Sequence, residues 1–266
     1  MCPSLRTRRS TVGMGIDVPI SSLERACLRF EADARRTAEL AAIEGVRRKP
    51  RVITISRQLG SGGRRVAEAL GEWLDWPVWD RQILDVLARQ SSRGYQARMF
   101  EELDERAQSE IEAFLSSLFG QADKHLYFYY LPKAILTIAQ HDAIIIGRGA
   151  HLLLPDSLKV RIVASLDTRV ANLVRFEGLT PEEARRRIAD SDRQREAFTQ
   201  ELVNRLQAAR AWKPRTEFDL TICTDRLELK DTALLVLLAA ARMFDLKLDW
   251  SELAASSDGA VALSAK

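Results

Sequence analysis

The sequence predicts an α/β protein, a doubly wound parallel sheet of five strands with helices on both faces, preceded by an N-terminal helix. Three observations carry this prediction. Five short runs rich in β-branched residues recur along the chain: "RVITIS" (51–56), "WPVWD" (76–80), "AIIIG" (143–147), "VRIVAS" (160–165) and "DLTICT" (219–224). Such near-continuous Ile/Val suits strands buried on both faces, because crossover helices cover both sides of a parallel sheet. Longer helical patterns fill the intervals, as parallel strands demand. The first run leads through three glycines, Gly60, Gly62 and Gly63, into a helical pattern from about Arg64.

Residues 1–20 mix Arg, Ser, Thr and Gly without periodicity and are expected to be a disordered basic arm. Residues 21–50 hold an amphipathic helix, capped by Ser21 or Ser22 and closed by Gly45, whose apolar face can pack on the domain or on a second copy as a homodimer contact. The α/β domain follows over 51–248. Residues 81–142 are the least regular, with a polar helical stretch at about 98–119 and an aromatic segment, "YFYYLPKAILTIAQ", whose helix feeds the third strand. Asp167 is placed to cap a helix that ends at Gly178. Thr180-Pro181-Glu182-Glu183 then sets a cap, a first-turn proline and a reciprocal Glu in register, opening a long arginine-rich segment, a lid over about 179–211. A tail over 249–266 completes the chain.

Composition narrows the function. With 266 residues, 46% of them hydrophobic and 29% charged, the chain can bury one good core. The longest apolar stretch, "ALLVLLAAA" at 233–241, is far shorter than the ~20 residues a membrane span needs, and no apolar signal core opens the chain. A cytoplasmic protein without a membrane partner is expected. Cys2, Cys27 and Cys223 lack the spacing of a zinc site or a disulfide framework, and His125, His141 and His151 are too few for a histidine-rich metal centre. The net charge of +3 is uneven: residues 1–51 carry eleven basic and six acidic side chains, the remainder 29 and 31. A solvated arm explains that balance better than a nucleic-acid contact, so nucleic acid is not an expected partner.

Gly60, Gly62 and Gly63 sit where a strand-to-helix turn makes an anion-accepting nest of backbone N–H groups. The pattern G-x-x-x-x-G-K-[ST] nevertheless fails here. It places Arg57 at the first glycine, Gly63 at the lysine and Arg64 at the Ser/Thr. Arg57, Arg64 and Arg65 supply the positive charge instead, since an arginine fork holds phosphate bidentately. Ser56 or Ser61 offers a hydroxyl to Mg²⁺ or else stabilises the turn. Further polar residues collect where strands end: Asp80 and Arg81 after the second, Arg148 after the third. Ligands of open parallel sheets bind there, although Asp80 suits a helix cap equally well. Trp73, Trp76 and Trp79, and the run Tyr127 to Tyr130, are assigned to core packing as readily as to base stacking.

Four blocks, "ITISRQLGSGGRRVAEAL", "IIIGRGAHLLL", "EARRRIADSDRQREAF" and "FDLTICTDRL", resemble in order those of the cytidylate kinase-like family, a branch of the P-loop nucleoside monophosphate kinases, over about 51–245. That branch shares S-R-x-x-G-S-G-G and lacks the loop lysine of authentic cytidylate kinases. The resemblance implies ATP and Mg²⁺ as cofactors and transfer of the γ-phosphoryl group to a nucleoside monophosphate, CMP or dCMP-like, or to a related small acceptor. It implies catalytic roles for Arg64, Arg148, Arg193 and Arg195, phosphate binding by Arg57, Gly60, Ser61, Gly62, Gly63, Arg64 and Arg65, and acceptor binding by Asp80, Arg81, Arg148 and Asp192. Ser61 is the implied metal ligand. The aspartates flanking the matching arginine in cytidylate kinases are Ile146 and Gly149 here, which sets the acceptor apart. The competing expectation is a catalytically silent nucleotide-binding module that regulates or assembles; an interaction factor acting through its basic arm ranks third.

Overall fold

Residues 52–57, 78–79, 143–146, 158–163 and 220–223 extend into five strands because their β-branched side chains can be buried on both sides. These strands, β1 (Val52–Arg57), β2 (Val78–Trp79), β3 (Ala143–Ile146), β4 (Leu158–Val163) and β5 (Leu220–Cys223), form one wholly parallel sheet in the order β2-β3-β1-β4-β5. The computed structural model describes residues 20–44, 49–88, 93–119, 126–208 and 217–247. The expected arm, apart from Ile20, and the expected tail lie outside the described residues.

The doubly wound sheet is as expected. One face, with Ile53, Ile55, Ile144, Ile146, Val160 and Ile162, packs against α2 (Gly63–Leu74) and α10 (Leu229–Phe244). The other, with Val52, Trp79, Ala143 and Ile145, is covered by α1 (Ile20–Glu44), α3 (Arg81–Leu87), α4 (Arg93–Glu101), α5 (Glu105–Phe119), α6 (Leu126–Ile138), α7 (Ala150–Leu153) and the end of α9 (Pro181–Ala208). Each fully buried aliphatic side chain contributes about 1.5–3 kcal/mol. Trp76 and Trp79 are core residues, and Trp79 is wholly buried.

β4 begins and ends two residues before its expected bounds. Leu158 pairs with Ile53, and at the far end the backbone N–H of Ala164 donates to the Gln58 side chain, after which Ser165 caps α8 (Leu166–Glu177). The cap at Ser165 also replaces the one expected from Asp167, which sits in the first turn instead. The polar helical stretch near 98–119 is two helices, α4 and α5, with Asp104 accepting from Ala107 N–H at the start of the second. Thr180 and Glu183 form the reciprocal cap expected of them, with bonds of 2.9 and 3.3 Å.

The N-terminal helix belongs to the domain core. Leu23, Cys27, Phe30 and Ala34, at helical spacing, are all buried, with Cys27 against Met99 and Phe30 edge-on to Trp79 and His141. Of the two placements expected for this helix, packing on the domain is the one the structure has for its apolar stripe. Among the described residues no helix is long and apolar enough to cross a membrane.

Candidate functional site

The turn between β1 and α2 is held from three sides. Gly60 and Gly62 adopt left-handed conformations, φ 82° and 79°, which glycine reaches without strain. A Cβ on Gly60 would stand 2.6 Å from the Arg169 carbonyl oxygen, so the loop backbone lies directly on α8. Asn172 donates to the Gly60 carbonyl at 2.8 Å and Arg169 Nε to the Leu59 carbonyl at 2.7 Å. The Thr224 hydroxyl, beyond β5, donates to the Ser61 carbonyl at 3.0 Å. Gly62 is the N-cap of α2 and contributes no side-chain hydrogen bond to its first N–H groups.

Above this loop, at the carboxyl ends of the strands, opens a cavity of about 710 Å³. The chain leaves β1 towards β2, whereas its neighbours β3 and β4 lead to the opposite side, and that divergence opens a crevice in a parallel sheet. Among the described residues six arginines line it, Arg57, Arg64, Arg65, Arg81, Arg187 and Arg195, against three carboxylates, Asp80, Glu177 and Asp190. Arg64 reaches Glu68 at 2.9 Å and Asp80 at 3.4 Å, Arg81 lies 3.5 Å from Asp85, and Arg187 pairs with Glu177. Arg65 stacks 3.6 Å from the centre of the Phe176 ring. Burial pushes the pKa of Arg57 down to about 10, opposed by nearby Asp80; burial and then Arg57 do the same to Arg195. Both stay cationic at neutral pH. A cationic wall of this kind suits a polyphosphate, and the volume is that of a small-molecule site.

The cavity thus gathers most of the residues singled out from sequence: Arg57, Gly60, Gly62, Gly63, Arg64, Arg65, Asp80, Arg81 and Arg195. Asp80 caps α3, its Oδ1 accepting from Gln82 and Ile83 N–H, and its side chain borders the cavity. Four residues are placed otherwise. Ser61 is buried beneath the loop, its hydroxyl within 2.9 and 3.2 Å of the Gln58 and Ile162 carbonyls; it stabilises the turn and presents no oxygen to a metal in the cavity. Arg148, at φ 54°, turns onto the buried Asp85 and packs between Phe198 and Tyr127, rather than standing in the crevice. Asp192 accepts from Arg169 at 2.8 Å and does not line the cavity. Arg193 is 77% exposed and does not itself line the cavity, but pairs with Asp190, one turn earlier on α9, which does.

Sequence reasoning missed Arg169, Asn172, Phe176 and Asp85. Arg169, nearly buried, joins the loop carbonyl of Leu59 to Asp192 on α9. Asp85 accepts from Tyr127 at 2.6 Å and from Arg148. Its spacing of four from Arg81 was the available signal, but that spacing equally describes an exposed pair.

Comparison with protein families decides kinship: the model of the cytidylate kinase-like family matches residues 52–226. The chain belongs to the cytidylate kinase-like family. The matched segment runs from the first residue of β1 past the end of β5 and includes the cavity's loop and the arginines of α8 and α9. No curated protein matches the sequence. Among solved structures, an uncharacterized protein from Eubacterium ventriosum shares 18% identity over 71% of this chain and 98% of its own, with a TM-score of 0.46. A Thermus thermophilus protein shares 21% over 72% and 98%, at 0.40. The shikimate kinase of Bacteroides thetaiotaomicron shares 14% over 74% and 99%, at 0.37.

Among the described residues no group of three or more His, Cys, Asp and Glu is placed to hold an ion. Asp80 is the wall carboxylate adjoining the loop arginines. That donor set fits Mg²⁺ only as an ion that keeps its waters and shares a nucleotide's phosphates.

Proposed function

We propose that the protein transfers the γ-phosphoryl group of ATP to a nucleoside monophosphate, CMP or dCMP-like, or to a related small acceptor. The observation that carries this is the arginine-lined cavity at the strand ends, walled on one side by the glycine turn and on the other by α8 and α9. In such a reaction the bond from γ-phosphorus to the β,γ-bridging oxygen breaks, a bond to an acceptor phosphate oxygen forms, and two diphosphates leave. The protein's task is to align the two anions and surround the transferring group with cations. Gly60, Gly62 and Gly63 let the loop backbone approach the phosphates, Arg57, Arg64 and Arg65 bind them, and Arg195 and Arg187 approach from α9. Asp80 and Arg81 border the acceptor side. Mg²⁺, when bound with the nucleotide, would supply further charge neutralisation, with Asp80 its nearest protein carboxylate.

Specific features favour a second reading, a silent nucleotide-binding module. Arg148 and Asp192, the family's acceptor-side positions, are engaged by Asp85 and Arg169, and the Ser61 hydroxyl is spent in the turn. Phosphorus NMR of the protein with Mg-ATP and each common nucleoside monophosphate separates the two. Conversion of one acceptor to its diphosphate, lost in Arg195→Ala, is the expected result. ATP resonances broadened by binding without conversion would replace the kinase with the module.

A further inference from the structure

The Walker pattern assigns its lysine to the position of Gly63, the first residue of α2. A Cβ built on Gly63 would lie 2.8 Å from Arg57 Cβ, 3.2 Å from its Cδ and 3.5 Å from its Cγ. The methylene stem of Arg57 therefore runs along the Cα of Gly63, through the space a side chain there would need. Beyond the stem, Arg57 Nη1 lies 3.5 Å from where a Cβ on Gly147 would stand, so the side chain spans from the end of β1 towards the end of β3 along the cavity wall. Arg64, Arg81 and Arg187 each lie within ion-pair distance of a carboxylate, and Arg65 rests on Phe176. The Arg57 guanidinium makes no ion pair or hydrogen bond with a described residue, and the side chain is partly buried in the cavity wall; Asp80 favours its charge from farther off. A partly desolvated cation without a protein partner gains from a bound anion.

We propose that Arg57 supplies from the end of β1 the phosphate-binding cation that a P-loop lysine supplies from the start of the helix, and that position 63 is glycine because the Arg57 stem fills its side-chain space. The inference rests on the cavity being the nucleotide-phosphate site proposed above. The lysine is then relocated rather than lost. Arginine suits the new position, since burial that brings its pKa to about 10 leaves it charged, whereas a lysine buried equally would fall nearer neutrality.

Calorimetric titration of the full chain with inorganic tripolyphosphate and with Mg-ATP tests this. Arg57→Gln is expected to weaken both by roughly 10- to 100-fold, the value of one charge-assisted contact, with its near-ultraviolet circular dichroism unchanged. Gly63→Lys alone is expected to lower the melting temperature without tightening either ligand, and Arg57→Gly/Gly63→Lys to recover affinity that Arg57→Gly loses. Gly63→Ala, which carries no charge, should destabilise the parent chain but not Arg57→Gly, a packing readout independent of any ligand. Parent-like affinity in Arg57→Gln, or a double variant no better than Arg57→Gly, overturns the relocation while leaving the phosphate site standing. Failure of the parent chain to bind either ligand overturns both.

Discussion

Asp85 is 3% exposed and receives the Tyr127 hydroxyl and Arg148, with Arg81 at 3.5 Å. Removing one partner of such a cluster leaves a buried charge uncompensated, so Asp85→Ala should destabilise by about 3–5 kcal/mol in urea unfolding. Arg148→Ala should cost far less in that background than alone, because the two substitutions remove the same interaction. The sequence places Arg148 at a strand end, where ligands of parallel sheets bind; its contact with Asp85 makes stability the first loss. Gly60→Ala, which forces φ 82° on a residue with a Cβ and presses 2.6 Å onto the Arg169 carbonyl, should cost about 2–3 kcal/mol. His151 adds a pH dependence. Burial, then Lys159 and Arg161, push its pKa down to about 4, against Glu217 at 3.8 Å. A depressed folded pKa means that its contribution is complete above the ordinary histidine value of about 6.5 and is lost as pH falls towards 4. The urea midpoint should therefore drop over that interval, and His151→Gln should flatten the drop. The glycines and arginines of the loop were legible in the sequence because their residue types are demanded by backbone conformation and charge. The placement of Arg148 was not, nor which of its two offered roles Ser61 takes, because a hydroxyl's or guanidinium's direction depends on carbonyls and carboxylates that only the fold brings near.

Periodicity made the amphipathic character of α1 readable, but what that face covers depends on Trp79, Met99 and His141, far along the chain. Phe30→Ala tests its place in the core: a loss of about 3–5 kcal/mol in unfolding free energy is expected, where a detached helix would leave the domain's stability unchanged. The α9 cap at Thr180 and Glu183 was legible because both partners lie within one turn. Its coupling to the loop was not, since Arg169 reaches Leu59 and Asp192 across more than a hundred and more than twenty residues respectively. Arg169→Ala frees both contacts and should weaken Mg-ATP binding as well as stability. Asp192→Asn, which keeps a hydrogen-bond acceptor, should do each less.

At the scale of the molecule, buried β-branched runs separated by helices announced a parallel sheet, because that burial pattern is how such sheets are covered. The order β2-β3-β1-β4-β5, and with it the crevice beside β1, follows from tertiary packing of two helical layers and leaves no mark on any single segment. The sheet puts six arginines from β1, α2, α3 and α9 around one cavity of about 710 Å³. Calorimetric titration of the full chain with Mg-ATP and, separately, adenosine tests that convergence most directly. A guanidinium wall built for polyphosphate predicts that ATP binds far more tightly than adenosine and that its affinity falls as salt is raised. Equal affinities, or ATP binding indifferent to salt, would contradict it.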